Sequence, residues 1–146
     1  MANPDNSIIF TVGYEGLSLE ELIARLLKNG VQILVDARYR PHSRKRGFSK
    51  NQFSNALLSH GIHYQHEIDL GTPPSMMAEI RQTKQYDFDK YRSHLRAKQK
   101  TLSRIATLAL EEKICLLCYE ADHRDCHRLV VAEELSAISG ALILHL

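Results

Sequence analysis

Short apolar runs alternate with segments of helical spacing along the whole chain, and this alternation restricts the fold more than any other feature. Most of the apolar runs lack a polar–apolar alternation, which is typical of strands in a mainly parallel sheet covered on both faces. The predicted strands lie in the segments SIIFTVGYEG, VQILVDAR, IHYQHEIDLG, KICLLCYE and ALILHL. We predict a single α/β domain over residues 1–146, a three-layer sandwich with helices on both faces of the sheet.

The segments between these strands carry helix signals of different strength. LSLEELIARLLKNG has Ser18 as a plausible N-cap, Glu21 three residues later as a capping box, and Gly30 as a stop. Residues 86–112 have helical spacing throughout and predict one long helix or two. The last helix is predicted to begin at Cys126, with Asp125 as its candidate N-cap. TPPSMMAEIRQTKQ predicts a loop, because two adjacent prolines interrupt it.

No apolar run approaches the ~20 residues that a membrane span needs, and the N-terminal segment lacks the basic region of a secretory signal. The three cysteines are too few, and odd in number, for a disulfide framework. We therefore predict a reduced, cytoplasmic protein with no membrane partner.

Positive charge is concentrated in two segments, although the formal net charge of the chain is only +2. Residues 37–66 contain six Lys and Arg and no Asp or Glu, and the cations lie between residues 38 and 50. Residues 81–104 contain eight Lys and Arg against two Asp. Such segregation favours an anionic partner, a small molecule or a nucleic acid. Two solvated surfaces remain the alternative.

Polar residues stand at the predicted carboxyl ends of the strands, where ligands gather in open α/β sheets. We expect an anion-binding cleft at this edge of the sheet. Its candidate ligand-binding residues are Tyr14, Glu15, Asp36, Arg38, Ser43, Arg44 and Arg128. Arginine suits bidentate recognition of phosphate. The competing interpretation is a structural network, in which Asp36 or Glu120 pairs with one of the arginines.

The stretch CYEADHRDCHR, residues 118–128, allows several kinds of chemistry. Cys118, His123, Cys126 and His127 are possible zinc ligands. Adjacent residues at a helix start point about 100° apart, however, so we predict no metal site. Cys118 and Arg124 have the C-x5-R spacing of cysteine phosphatases, but the loop between them lacks glycine.

The same stretch can also supply a catalytic group. A thiol at a helix N-terminus has a lowered pKa, so Cys126 is a candidate catalytic residue, together with Glu120 and His127. Cys126 as a small buried residue is the alternative.

Four motifs together resemble the domain-of-unknown-function family 488: TVGYEG, LVDARYRPHSRKRGFSK, IHYQHEIDLG and LLCYEADHRDCHRLVVAEEL. The resemblance implies a compact α/β fold and no particular activity. It places the family's recurrent polar positions on Tyr14, Glu15, Asp36, Arg38, Pro41, Ser43, Arg44, Tyr64, Gly71, Glu120, Cys126, His127 and Arg128. A looser likeness to rhodanese-like sulfurtransferases rests on the VDAR strand and a cysteine after a late strand.

Three functions follow from these observations, and whether the protein is an enzyme stays open. The first is a small cytoplasmic enzyme that acts, without a cofactor, on a phosphate-bearing ligand such as a nucleotide or nucleic acid. The second is a non-catalytic nucleic-acid-binding module that uses residues 38–50 and 81–104. The third is a rhodanese-like sulfurtransferase or an activity like that of cysteine phosphatases.

Overall fold

The computed structural model describes residues 7–146, which form a five-stranded, wholly parallel sheet in the order β3-β2-β4-β1-β5. The strands are β1 (Ile8–Gly13), β2 (Ile33–Asp36), β3 (His63–His66), β4 (Ile114–Cys118) and β5 (Leu142–His145). All five predicted strands are present. The segment ALILHL supplies β5, which pairs with β1 at one edge of the sheet.

Helices cover both faces of the sheet, because successive strand residues point to opposite sides. One face packs against α1 (Leu19–Lys28) and α2 (Lys50–Ser59). The other packs against α3 (Pro74–Thr83), α4 (Phe88–Arg96), α5 (Gln99–Glu111) and α6 (Arg128–Ser139). In β4, for example, Leu117 belongs to the first apolar cluster and Leu116 to the second. The predicted three-layer α/β sandwich is confirmed.

The capping box of α1 is present as predicted. Ser18 Oγ accepts a hydrogen bond from the backbone N–H of Glu21, and Glu21 Oε1 accepts one from the N–H of Ser18. The two bonds satisfy N–H groups that otherwise have no partner in the first turn.

The prediction of a loop at residues 72–85 was wrong, since α3 occupies most of it. Pro73 is the N-cap and Pro74 is the first helical residue. Proline is tolerated there because the first turn has no acceptor for its N–H and its fixed φ suits a helix. The two prolines therefore start the helix instead of interrupting it, and Met76 anchors the helix in the core.

Of the last two predicted helical segments, one agrees with the prediction and the other begins later than predicted. Residues 86–112 form two helices, α4 and α5, one of the two forms expected. The last helix begins at Arg128, not at Cys126: a short 3-10 helix occupies His123–Asp125, and Cys126 is extended with φ −127° and ψ 143°. Asp125 is thus not the N-cap of α6.

Two glycines allow loops to cross at the carboxyl edge of the sheet. A Cβ at Gly13 would overlap the backbone carbonyl of Glu120, and a Cβ at Gly71 would overlap the backbone of Tyr39. The loops that carry Glu120 and Tyr39 can lie where they do only because these positions lack a side chain. Within residues 7–146, every helix falls short of the length and apolar character that a membrane span requires.

Candidate ligand-binding cleft

A cleft of about 560 Å³ lies at the carboxyl edge of the sheet. It is bordered by the loop after β2, by α3 and the segment that follows it, and by the loop after β4. Its lining combines arginines, tyrosines and acidic groups, namely Arg38, Tyr39, Arg40, Thr72, Pro74, Met77, Ile80, Arg81, Tyr86, Tyr119, Glu120, Asp125 and His127. The expected meeting of strand-end residues therefore produces a concave surface.

Asp36 and Arg38 form a buried ion pair beneath this cleft. Arg38 Nε donates to Asp36 Oδ1 over 2.9 Å and its Nη2 donates to Oδ2 over 2.7 Å, while Nη1 donates to the carbonyl of Phe48 over 2.7 Å. Burial by itself lowers the pKa of Arg38, but the hydrogen bonds and charge of Asp36 outweigh it and raise that pKa. The guanidinium that the sequence assigned to an external anion is thus largely occupied within the protein.

Two tyrosines contact the Asp36–Arg38 ion pair. Tyr64 donates its hydroxyl to Asp36 Oδ2 over 2.5 Å, and burial followed by this hydrogen bond raises the Tyr64 pKa. The ring of Tyr14 stacks on Phe48, and the guanidinium carbon of Arg38 lies 5.4 Å from the Tyr14 ring centre. These contacts form one buried polar network at the ends of β1, β2 and β3. This is the structural role that the network interpretation expected for Asp36.

Three further predicted residues lie outside the cleft lining. Ser43 folds its own loop, since its Oγ accepts from the N–H of Lys45 and its N–H donates to Ser49 Oγ. Glu15 accepts from the N–H of Ala121 and so fastens the loop after β1 to the loop after β4. Arg44 is exposed on the basic loop.

Arg128 is fully buried and donates to neutral acceptors and one sulfur. Its Nη1 donates to the carbonyl of Glu120 over 2.5 Å and to Cys118 Sγ over 3.0 Å, and its Nη2 donates to the carbonyl of Ala121 over 3.1 Å. No carboxylate in the described part of the chain forms an ion pair with it. Burial lowers the Arg128 pKa. Arg128 therefore holds the loop that carries Glu120.

The candidate catalytic residues differ in their access to the cleft. Cys126 is 1% exposed, and its sulfur lies within bonding distance of the Cys118 sulfur, so the pair can exist as a disulfide or as the two free thiols that the sequence predicted. His127 lines the floor of the cleft, and its Nε2–H donates to the carbonyl of Ala37 over 2.8 Å. Burial lowers the pKa of His127 to about 4, so the ring is neutral. Glu120 lines the cleft half-buried, and burial raises its pKa.

Arg40 and Arg81 are the cations that the cleft leaves available. Both side chains are exposed, and neither has a side-chain hydrogen bond or ion pair within residues 7–146. Tyr39, Tyr86 and Tyr119 line the same cleft, and Tyr119 is 49% exposed. Unpaired guanidinium groups beside aromatic rings can hold an anionic group and a flat ring together.

Comparison with protein families tests the family resemblance that the four motifs indicated. The family model described as "Domain of unknown function DUF488" matches residues 18–135. The chain belongs to the DUF488 family. Neither the curated proteins nor the solved structures gave a match.

The DUF488 positions that the motifs indicated divide into structural groups. Asp36, Arg38, Tyr14 and Tyr64 form the buried pair with its tyrosines. Gly71 permits the close crossing with Tyr39. Cys126, His127 and Arg128 stand where α6 begins. Much of the motif set thus builds the edge of the sheet on which the cleft lies.

Sequence reasoning missed the α3 side of the cleft in this DUF488 protein. Thr72 and Met77 were not candidates and Arg81 was included only within the basic segment 81–104, because residues 72–85 were predicted as a loop. The Pro73-Pro74 pair was the signal that could have placed a helix start there. Arg40 was noted only as one of several cations, and nothing in the sequence separates it from Arg44.

Proposed function

We propose that the cleft binds a phosphate-bearing ligand with an aromatic base, such as a nucleotide, and that the protein acts on this ligand as a small enzyme. The observation that carries the proposal is the presence of two unpaired arginines in the lining of one cleft, Arg40 on the loop after β2 and Arg81 on α3. A guanidinium group matches the geometry of phosphate oxygens and binds them by paired hydrogen bonds.

The aromatic part of the proposed ligand is supported by the tyrosines. Tyr39 follows β2 and Tyr119 follows β4, whereas Tyr86 follows α3 and is partly buried, with its hydroxyl 2.8 Å from Thr72 Oγ1. Stacking of a base on an aromatic side chain is favourable for every base. A cleft with both cations and aromatic rings suits a nucleotide better than inorganic phosphate.

The proposed enzyme uses Glu120 as the carboxylate that contacts the ligand. Glu120 is fixed in place by the bond from Arg128 to its backbone carbonyl and lies in the cleft with His127. The thiol-based alternatives have less support, because Cys118 and Cys126 are each 1% exposed and neither lines the cleft.

The nucleic-acid-binding alternative also has less support, because most of its second basic segment is neutralised. Five of the eight cations in residues 81–104 form ion pairs with acidic side chains, namely Lys90, Arg92, Arg96, Lys98 and Arg104. Of the cations that remain unpaired in the described chain, Arg40 and Arg81 line the cleft.

Calorimetric titration of the full chain with adenosine and guanosine mono-, di- and triphosphates tests the proposal. We expect Arg40→Gln and Arg81→Gln each to weaken binding of the preferred nucleotide about tenfold, the effect of losing about 1.4 kcal/mol of charge-assisted hydrogen bonding. Arg44→Gln is the matched control, since it removes an exposed arginine of the same loop outside the cleft, and we expect less than about a twofold change. Equal losses in all three variants, or no binding by the unaltered chain, would contradict the proposal.

A further inference from the structure

A cluster of two sulfurs and an imidazole lies behind the cleft. The ligand atoms of Cys118, Cys126 and His127 all lie within 4.8 Å of one another, and all three residues are buried. We propose that the reduced cluster binds one thiophilic metal ion, such as Zn²⁺, through Cys118 Sγ, Cys126 Sγ and His127 Nδ1. This proposal does not depend on the ligand of the cleft.

The backbone at the start of α6 is what brings these atoms together. The sequence predicted no metal site because Cys126 and His127 were expected to stand on one helix and therefore to diverge. Because the helix begins at Arg128 and Cys126 is extended, Cys126 Sγ lies 3.7 Å from His127 Nδ1. His123, the other residue of the four-ligand set weighed from the sequence, instead stacks on His145 at 3.6 Å between ring centres.

The hydrogen bonding of His127 leaves its Nδ1 available to a metal ion. A backbone carbonyl can only accept, so the bond from Nε2 to the oxygen of Ala37 fixes the proton on Nε2. The lone pair of the neutral ring then lies on Nδ1, on the side of Cys126. A second ring nitrogen held by a backbone carbonyl is the usual outer contact of a metal-binding imidazole.

Hydrogen-bond donors face both sulfurs and suit the thiolates that form when zinc binds. Both receive an N–H group of Arg128, since Nη1 lies 3.0 Å from Cys118 Sγ and the backbone nitrogen lies 3.4 Å from Cys126 Sγ. A thiolate accepts such bonds more strongly than a neutral sulfur and offers negative charge to a buried guanidinium that lacks a carboxylate partner.

The separation of the two backbones also suits an ion. The Cα atoms of Cys118 and Cys126 are 7.2 Å apart, whereas disulfides usually span about 4.4–6.8 Å. An ion between the sulfurs accommodates the wider separation. Binding of Zn²⁺ by the two thiols and the neutral imidazole releases two protons and involves no change of oxidation state.

Three protein ligands leave one position of a tetrahedral zinc ion to be filled. Glu120 Oε2 lies 3.5 Å from Cys118 Sγ and offers an oxygen donor next to the cluster. The metal site therefore adjoins the wall of the cleft.

The test uses the full chain, reduced with a phosphine under anaerobic conditions. Zn²⁺ affinity is measured by competition with a chromophoric chelator, and Co²⁺ is added in parallel to detect thiolate-to-metal charge-transfer absorption. We expect one ion per chain, and an affinity at least about tenfold weaker in Cys126→Ser and in His127→Gln. Cys115→Ser is the matched control, because this third cysteine lies in the core outside the cluster, and it should keep the affinity.

Three results would overturn the proposal. The first is a reduced, folded wild-type chain that binds neither ion. The second is Cys126→Ser binding Zn²⁺ as tightly as the unaltered chain. The third is a Cys118–Cys126 cross-link that persists in reductant, detected by intact mass as the absence of two hydrogens. Circular dichroism of each variant shows whether a lost affinity comes from the site or from unfolding.

Discussion

Arg38 and Arg128 are both buried, yet their guanidinium groups are satisfied in different ways. Arg38 has a carboxylate partner in Asp36, whereas Arg128 has backbone carbonyls, the Thr11 hydroxyl and a sulfur. A buried charge without a counter-charge is costly unless hydrogen bonds surround it. The two residues therefore stabilise the sheet edge, and the exposed arginines beside them remain available to a ligand.

The Asp36–Arg38 pair should be a large contributor to stability. Asp36→Asn or Arg38→Gln leaves one buried charge without its partner, and we expect either change to lower the free energy of unfolding by about 3–5 kcal/mol. Urea denaturation followed by circular dichroism measures this. In the control Arg124→Gln, which removes an arginine paired with Asp122 at the surface, the midpoint should not move. An unchanged midpoint in Arg38→Gln would refute the structural role.

The sequence could place these residues at strand ends but could not assign their partners. The acceptors that occupy Arg38 and Arg128 include the backbone carbonyls of Phe48, Glu120 and Ala121. A backbone carbonyl is present at every residue, so no pattern of side chains marks these three. Exposed Arg40 and buried Arg38 consequently look alike in the sequence.

At the scale of elements, the strands and most helices were predictable because their periodicity is strong. The apolar runs of β1, β2 and β4 are strands whose two faces are buried, whereas the edge strands β3 and β5 are partly exposed. The start of α6 was missed because a 3-10 turn precedes it and moves the cap from Asp125 to His127. That shift of about two residues decides whether the side chains of Cys126 and His127 point away from each other or toward each other.

The contact between α5 and Glu67, the residue that follows β3, should depend on pH. Arg104 donates two hydrogen bonds to the carboxylate of Glu67. Burial raises the Glu67 pKa, but the hydrogen bonds from Arg104 and Gln65 outweigh burial and lower it. A lowered folded-state pKa stabilises the protein at neutral pH, and this stabilisation is lost as the pH falls through that pKa.

We expect Glu67→Gln to lower the free energy of unfolding at pH 7 by about 1 kcal/mol, since Arg104 is half exposed and water screens the pair. The difference from the unaltered chain should shrink as the pH is lowered through the acid range. Urea denaturation at a series of pH values measures it. Glu79→Gln removes a half-exposed pair with Lys90 and should show little difference at any pH. A Glu67→Gln deficit that persists in acid would contradict the assignment.

At the scale of the whole molecule, the two basic segments differ although their compositions are similar. Residues 81–104 lie on helices whose cations meet acids on α6, on α3 and beside β3. In residues 38–50, Arg40, Arg44, Arg46 and Lys50 have no side-chain ion pair within the described chain. The sequence showed where charge is dense, but only the packing of helices onto the sheet decides which charges are neutralised.

The crystal structure of the full chain with its preferred nucleotide bound tests the central claim most directly, which is that Arg40 and Arg81 make this cleft a phosphate site. We expect phosphate oxygens within hydrogen-bond distance of both guanidinium groups and the base against Tyr39 or Tyr119. A nucleotide bound elsewhere on the protein, with the cleft empty, would contradict it.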